Sequence, residues 1–505
     1  MLVIISDLHL TDGTSGATIS AGAFEIFAER LTDLATAASW RVDGRYRPID
    51  RIDLVLLGDV LDVIRSSRWC QAGSARPWDD PYRPGFIDLV SGITSDILRA
   101  NDASLSVLRE LARGDGIAAA GGVWVPPGTR QGRPDPHAAP LPIPVRIHYM
   151  VGNHDWFFHL PGGSYDLLRQ ALVRHLGLAN RYDEPFPHDA RESGELADVL
   201  ARHRVLARHG DIYDPFNFEG DRNASSLGDA IVVELLGRFS ATVETELADE
   251  LPMQALAGFR ELDNVRPLLL VPVWIDGLLE RTCAFPSQSL HVKRVWDTLA
   301  DRFLALPYVR QRDTWHPADL VDGLESMLKF SQKLSIGWAS RILGWIAKLR
   351  GPVEGSYYQH ALREVDFRNR RARHIVYGHT HHAESVPLDA SFADHRVLEQ
   401  MYFNSGTWRR VHRQTTLAPS EHEFLAHDVM TYLAFFQGDE RGGRPYETWS
   451  GSLGLQAVTE PVHRIDPARA SHAARQPLSA PALHQHAPHF APSAGRGQPR
   501  ASDRL

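Results

Sequence analysis

Val151-Gly152-Asn153-His154-Asp155 closes an apolar run that begins at Ile147, and just past a glycine it presents an amide, an imidazole and a carboxylate. An apolar approach of this length that stops at a glycine reads as a buried strand running into a polar loop. The pattern recurs four times. Residues 2–6 lead to Asp7-Leu8-His9, and residues 52–57 lead to Gly58-Asp59-Val60-Leu61-Asp62. Downstream, residues 204–207 lead to His209-Gly210-Asp211, and residues 373–377 lead to Gly378-His379-Thr380-His381. Five strand ends therefore carry His, Asp and Asn side chains toward what can be one site.

Between the first two strands, residues 23–37 set Phe24, Phe27, Leu31 and Leu34 at helical spacing, so strand, helix and strand form a βαβ crossover and the fold class is α/β. In open α/β sheets ligands gather at the carboxyl ends of the strands, where Asp7, His9 and Asp59 stand. Long insertions separate the core strands. Residues 63–144 hold a helical stretch at 86–113 and then a Gly/Pro-rich run at 121–144, expected as an irregular surface loop or lid. Residues 216–371 show helical periodicity, as at 230–247 and 296–306, and are expected to form a mostly helical cap. The core is thus divided into 1–215 and 372–460. Residues 398–403 lead into Asn404-Ser405-Gly406-Thr407-Trp408, and a hairpin is expected from 429–437 and 444–449. From 461 to 505 the composition shifts to Ala, Pro, His, Gln and Arg without periodicity, which predicts a disordered tail.

A formal net charge of −8 gives no support for a general nucleic-acid binder. Cys70 and Cys283 are the only cysteines, which excludes a disulfide framework and a thiolate zinc cluster and fits a reducing cytoplasm. The first residues lack a basic region, and their apolar run is too short for a signal peptide. No run is apolar enough for long enough to span a bilayer. Within the cap, Leu334, Trp338, Ile342, Trp345 and Leu349 repeat at helical spacing beside Lys329, Lys333, Arg341, Lys348 and Arg350. Such a helix is first of all cap core with a solvated basic edge. The alternative for 327–350 is a peripheral contact with an anionic membrane surface.

Each short motif alone is common by chance. Together they offer hard carboxylate oxygens, imidazoles and one amide with almost no sulfur, a mixture that suits divalent manganese, iron or zinc. Two such ions, bridged by a carboxylate and a water, make a hydroxide nucleophile at neutral pH and clamp the oxygens of an in-line phosphoryl displacement.

Asp7-x-His9, Gly58-Asp59-x-x-Asp62, Gly152-Asn153-His154-Asp155, His209-Gly210-Asp211 and Gly378-His379-Thr380-His381 occur in the order found in the calcineurin-like metallophosphoesterase superfamily, which the chain resembles. The resemblance covers residues 1–62, 145–214 and 372–410. It implies a two-sheet α/β sandwich flanked by helices, with a dinuclear centre at the strand ends. By the same resemblance Asp7, His9 and His381 would hold one metal, Asn153, His209 and His379 the second, and Asp59 would bridge them. His154 matches the family's catalytic histidine, with Asp155 orienting its ring; Asp62 and Asp211 would be supporting residues. Arg409 or Arg410, just past the Asn-Ser-Gly-Thr-Trp turn, could bind a substrate phosphate, and the first reading of each alone is a solvated surface arginine. The Gly-His-Thr-His motif paired with a later Asn-Ser-Gly-Thr-Trp looks most like bacterial members near UDP-2,3-diacylglucosamine pyrophosphatase, although the large insertions depart from so compact an enzyme. The expected activity is hydrolysis of a phosphodiester, pyrophosphate or phosphomonoester, with a small or lipid-linked substrate favoured. Three alternatives remain. A DNA exonuclease of the superfamily would want a broad basic groove, for which only a local patch at 368–373 is available. A phosphoprotein phosphatase would want an open cleft, and a non-catalytic metal-binding scaffold would need no histidine like His154.

Overall fold

Leu2, Val3, Ile4 and Ile5 are fully buried, as is every residue of the run 52–57. Segments without a polar face fit only the interior of a sheet covered on both sides. The computed structural model describes residues 1–112, 122–266, 270–313, 319–332, 356–393, 396–417 and 423–454. Its strands are β1 (Leu2–Ile5), β2 (Ile52–Leu57), β3 (Val123–Val125), β4 (Leu141–Ile143), β5 (Val145–Met150) and β6 (Val205–Arg208), followed by β7 (His374–Tyr377), β8 (Glu384–Ala393), β9 (Arg396–Asn404), β10 (Arg409–Gln414), β11 (Phe424–Phe435) and β12 (Tyr446–Gly454).

One six-stranded sheet runs in the order β10-β11-β1-β2-β5, with β12 paired to β11, and a four-stranded sheet runs β6-β7-β9-β8. β1, β2 and β5 are mutually parallel, with Leu2 opposite Asp53 and Ile52 opposite Val145. The crossover between β1 and β2 carries α1 (Ala21–Ala38), as the helical spacing predicted. Side chains alternate across the larger sheet with the period of two that strands impose. Leu2, Ile4, Val55, Leu57 and Met150 join Ala207, Val376 and Phe403 of the smaller sheet in one apolar cluster, so the two sheets are stacked face to face. Val3, Ile5, Leu54 and Leu56 point the other way and meet Phe24, Phe27 and Leu31 of α1. The result is a mixed α/β fold in which the carboxyl ends of β1, β2 and β5 share one edge.

The helical stretch expected at 86–113 is two helices, α2 (Pro84–Ala100) and α3 (Asp102–Ala112), separated by Asn101. The Asn101 amide donates 2.8 Å bonds to the Thr11 and Ile97 carbonyls, which ties the break to the loop after β1. Of the irregular surface loop or lid expected at 121–144, residues 126–140 hold no helix or strand, but the ends are corrected: β3 and β4 pair antiparallel, and Val123, Val125 and Ile143 lie in the main core. Alternation in Val123-Trp124-Val125 outweighs the flanking glycines and prolines. The hairpin after residue 423 is present as β11 and β12, longer than its apolar residues marked. β8 and β10 were not expected, because β8 interleaves Glu384, Ser385, Asp389 and Ser391 with apolar residues and Pro387, and half of β10 is arginine.

Among the described residues of 216–371 the regular elements are helices. A π-helix, Ile231–Gly237, joins Leu227–Ala230 to Arg238–Glu246, followed by Met253–Arg260, Val271–Thr282 and Pro286–Leu304. They bury their own apolar residues, among them Phe239, Val243, Phe259 and Leu279. The amphipathic segment expected at 327–350 lies outside the described residues beyond 332, as does the tail at 461–505. Among the described residues no helix is long and apolar enough to cross a membrane.

Candidate metal centre

The five loops close on one another by main-chain bonds. Asp7 N donates to Gly58 O at 3.1 Å, His9 N to Asp59 O at 2.9 Å and Leu10 N to Val60 O at 3.0 Å. To turn their side chains inward, Asp7, His9, Asp59, His379 and His381 adopt φ of 54°, 44°, 53°, 68° and 58°. Left-handed backbone costs a non-glycine residue roughly 1–2 kcal/mol. Among the described residues eight non-glycines pay it, and five of the eight are these candidate ligands. Strain that accumulates in one place marks a functional site rather than a packing accident. Gly152 is required for a different reason: a Cβ there would lie 2.3 Å from Asp59 Oδ1 and 2.8 Å from the His209 ring.

Ligand atoms converge here in three overlapping groups, Asp7 with His9 and His381, Asp59 with His209 and His379, and His9 with Asp59 and His154. In the first, His381 Nε2 is 2.8 Å from His9 Nε2 and 3.3 Å from Asp7 Oδ1. In the second, Asn153 Oδ1 is 3.2 Å from His209 Nε2 and 3.0 Å from His379 Nδ1. Asp59 Oδ2 lies between the groups, 3.7 Å from His9 Nε2 and 3.2 Å from His209 Nε2, buried and without a hydrogen bond.

The chemistry of the donor set, carboxylates and imidazoles with one amide, is that of a divalent-cation site. The His9 Nδ1 contact with Asp62 Oδ2 (2.7 Å), the His209 Nδ1 bond to Leu57 O (2.9 Å) and the His379 Nε2 contact with Asp214 Oδ2 (3.0 Å) each engage one ring nitrogen. Each partner accepts only, so the opposite nitrogen is the one left with a lone pair facing the site, and such outer partners are what orient metal-binding imidazoles. Without a metal the charges redistribute. Burial opposes a charge on His209, yet Asp59 and Asp7 push its pKa up to about 10. Burial, reinforced by Asp59, lifts the Asp7 carboxyl to about 6. A proton on His209 thus occupies the place a cation would take.

His154 stands at the rim, with its main-chain N–H donating to Asp59 Oδ1 at 2.8 Å. Its Nδ1 is 2.7 Å from Asp62 Oδ1, so Asp62, and not Asp155, orients the ring. Burial would lower the His154 pKa, but Asp62 and Asp59 raise it to about 9. Asp62 itself is held down to about 2 because Arg65 and His154 outweigh the effect of burial. The expected role of Asp155 is corrected: its carboxylate accepts from Val60 N at 2.9 Å, Gly152 N at 2.6 Å and the Tyr149 hydroxyl at 2.7 Å, and so ties the β5 loop to the β2 loop. Asp155 follows His154 in sequence but points back beneath the loop.

Asp211 is a supporting residue, accepting from Arg222 Nη2 at 2.8 Å. Asn404-Ser405-Gly406-Thr407-Trp408 is a clamp on the β1 loop: Trp408 N and the Thr407 hydroxyl both donate to Asp7 O, at 3.1 and 2.8 Å. The buried Trp408 indole packs against Phe24 and Phe27 of α1, with ring centres 5.2 and 5.0 Å away. Arg409, expected at a substrate phosphate, is buried and donates to Asn264 Oδ1 at 3.0 Å and Asp263 O at 2.6 Å. Arg410 turns to the opposite face of β10 and bonds Asp428 at 3.0 Å.

Asp214 escaped the sequence reading. It binds His379 Nε2, and Asn217 Nδ2 donates to it at 2.8 Å; Asn217 Oδ1 in turn accepts from Asn153 Nδ2 at 3.3 Å, which leaves Asn153 Oδ1 facing the site. A signal for it existed, since Gly210-Asp211-Ile212-Tyr213-Asp214 repeats the spacing of Gly58-Asp59-Val60-Leu61-Asp62. Arg65 and Asp263 also went unnoticed. Arg65 Nε pairs with Asp62 Oδ2 at 2.9 Å and with Asp263 from the helical insertion. No protein-family model matches the chain, and no curated protein matches it.

Proposed function

We propose that the chain is a calcineurin-like metallophosphoesterase, with the two stacked sheets as that superfamily's sandwich, and that it hydrolyses a phosphodiester, pyrophosphate or phosphomonoester bond of a small or lipid-linked substrate. The observation that carries this reading is the position of Asp59 Oδ2, buried, without a hydrogen bond and within 3.7 Å of His9 Nε2 and 3.2 Å of His209 Nε2, between the ligand groups. Asp7, His9 and His381 would hold one ion, Asn153, His209 and His379 the other, and Asp59 both. Manganese suits these ligands, as do iron and zinc. When bound, the two ions supply Lewis acidity toward phosphoryl oxygens and an activated water.

The chain's own residues do the rest. Asp62 engages His154 Nδ1 and leaves Nε2 to face the substrate. Carrying a proton at neutral pH, His154 donates to a phosphoryl oxygen as charge builds there and then protonates the leaving oxygen. Asp214 and Leu57 O hold the His379 and His209 rings, so neither must reorganise as the substrate reacts. Both thiols, Cys70 and Cys283, are free, which suits a reducing cytoplasm.

The test is hydrolysis of bis-p-nitrophenyl phosphate beside p-nitrophenyl phosphate, on metal-stripped protein with manganese restored. Manganese-dependent turnover is expected. Two bound ions with no turnover of either ester, or of a panel of nucleotide and sugar phosphates, would leave a metal-binding scaffold instead.

A further inference from the structure

Residues 260–264 of the helical insertion are bound into the core beside the metal centre. Gly16 N donates to Arg260 O and Ala17 N to Glu261 Oε1, both at 2.8 Å. From β10, Arg409 donates to Asn264 Oδ1 and Asp263 O, and His412 Nε2 lies 3.1 Å from Glu261 Oε2. These ties fix the Asp263 carboxylate where its Oδ2 forms an ion pair with Arg65 Nε. Burial opposes ionisation of Asp263, but Arg65, Arg409 and Arg266 lower its pKa, so the pair is charged.

Arg65 also pairs with Asp62, and Asp62 has no capacity to spare. Its Oδ1 accepts from Arg65 N at 3.2 Å and faces His154 Nδ1 at 2.7 Å, while its Oδ2 faces His9 Nδ1 at 2.7 Å and Arg65 Nε at 2.9 Å. A carboxylate offers roughly four acceptor sites, and all are taken. A guanidinium with a single carboxylate partner frequently binds it through two parallel N–H groups. On Asp62 the second of these would fall on Oδ1 and compete with His154. Asp263 shares the guanidinium and so leaves Oδ1 to the histidine. With 7% of the Arg65 side chain and 13% of the Asp263 side chain exposed, little water reaches the pair to replace it. We propose that Asp263 is a positioning residue for the catalytic acid: through Arg65 it keeps both Asp62 oxygens in place for His154 and His9, so the site is complete only with the insertion docked. The inference rests on the phosphoesterase reading, in which His154 is that acid.

The test compares bis-p-nitrophenyl phosphate with diphenyl phosphate on the manganese-loaded full chain. p-Nitrophenolate leaves readily without a proton, whereas phenolate needs one. Asp263→Asn should therefore lower turnover of diphenyl phosphate about tenfold more than that of the nitrophenyl ester, a part of the roughly 10²–10⁴ that a positioned acid supplies. Arg65→Gln, which breaks the link from its other end, should do the same, and the double variant should be no worse than Arg65→Gln alone. Glu261→Gln loosens the same segment without touching Arg65 and should leave the ratio of the two esters unchanged. A second readout needs no turnover. In proton NMR of zinc-loaded protein the Nδ1–H signal of His154, identified by its absence from His154→Ala, should be sharp in wild type and Glu261→Gln and lost to solvent exchange in Asp263→Asn. That NMR difference in a wild type that cleaves neither ester would overturn the phosphoesterase reading while supporting the hold of Asp263 on His154. Equal losses on both esters, additive losses in the double variant, or an unchanged His154 signal would overturn the proposal.

Discussion

Asp62 Oδ1 stands 2.7 Å from Nδ1 of His154, although 92 residues separate the two in sequence. The other oxygen of the same carboxylate stands 2.7 Å from Nδ1 of His9. One side chain therefore sets the orientation of a candidate metal ligand and of the candidate catalytic acid, and Arg65 anchors it from behind.

His154→Ala should lower turnover of bis-p-nitrophenyl phosphate by about 10²–10⁴, the usual contribution of a positioned acid. Metal content should not change. Because His154 also lies near His9 and Asp59, metal analysis of the variant is the deciding readout, and loss of an ion would make His154 a ligand.

The raised His154 pKa has a consequence for stability. Its folded value of about 9 exceeds the 6.5 of an unperturbed imidazole, so its contribution is fully present below 6.5 and is lost as pH rises through 9. Denaturant unfolding of metal-free protein at pH 6 and pH 10 should show this loss. Asp62→Asn removes a charge that raises the pKa, so the variant should lose less stability over the same interval. An identical loss in both proteins would remove Asp62 as the cause.

Metal binding should release protons. With a pKa of about 10, His209 is protonated at pH 7.5, and Nε2 must give up its proton to accept a cation. Asp7, at about 6, is already ionised there. Calorimetry in buffers of different ionisation enthalpy should report release of about one proton from this group, and affinity should rise with pH between 7 and 9. Binding without proton release would place the metal away from His209.

Asp214→Asn leaves the Asp214 side chain's size nearly unchanged but weakens its hold on His379 Nε2. Loss of an outer partner of this kind typically costs 10–100-fold in metal affinity, so one of the two ions should bind about that much more weakly. Equal weakening of both ions, or none, would count against Asp214 as a positioning residue.

The strands and the ligands at their ends were legible because buried parallel strands leave runs without a polar face, and Asp7, Asp59 and Asn153 stand directly past those runs. Partnerships across the chain were not legible. Asp155 follows His154 and looked like its partner, but the loop turns so that consecutive side chains diverge, and the residue that reaches the ring is Asp62. Asp214 carried a spacing signal, and only the fold shows which imidazole it meets. Val123-Trp124-Val125 was hidden by the surrounding glycines and prolines, whose turn preferences say little about a three-residue strand packed against a core.

Whether Asp59 joins two metal sites is decided by metal analysis of wild-type and Asp59→Asn protein. Two divalent ions per wild-type chain are expected, with fewer in the variant and loss of manganese-dependent hydrolysis. Full metal content and undiminished turnover in Asp59→Asn would contradict the account.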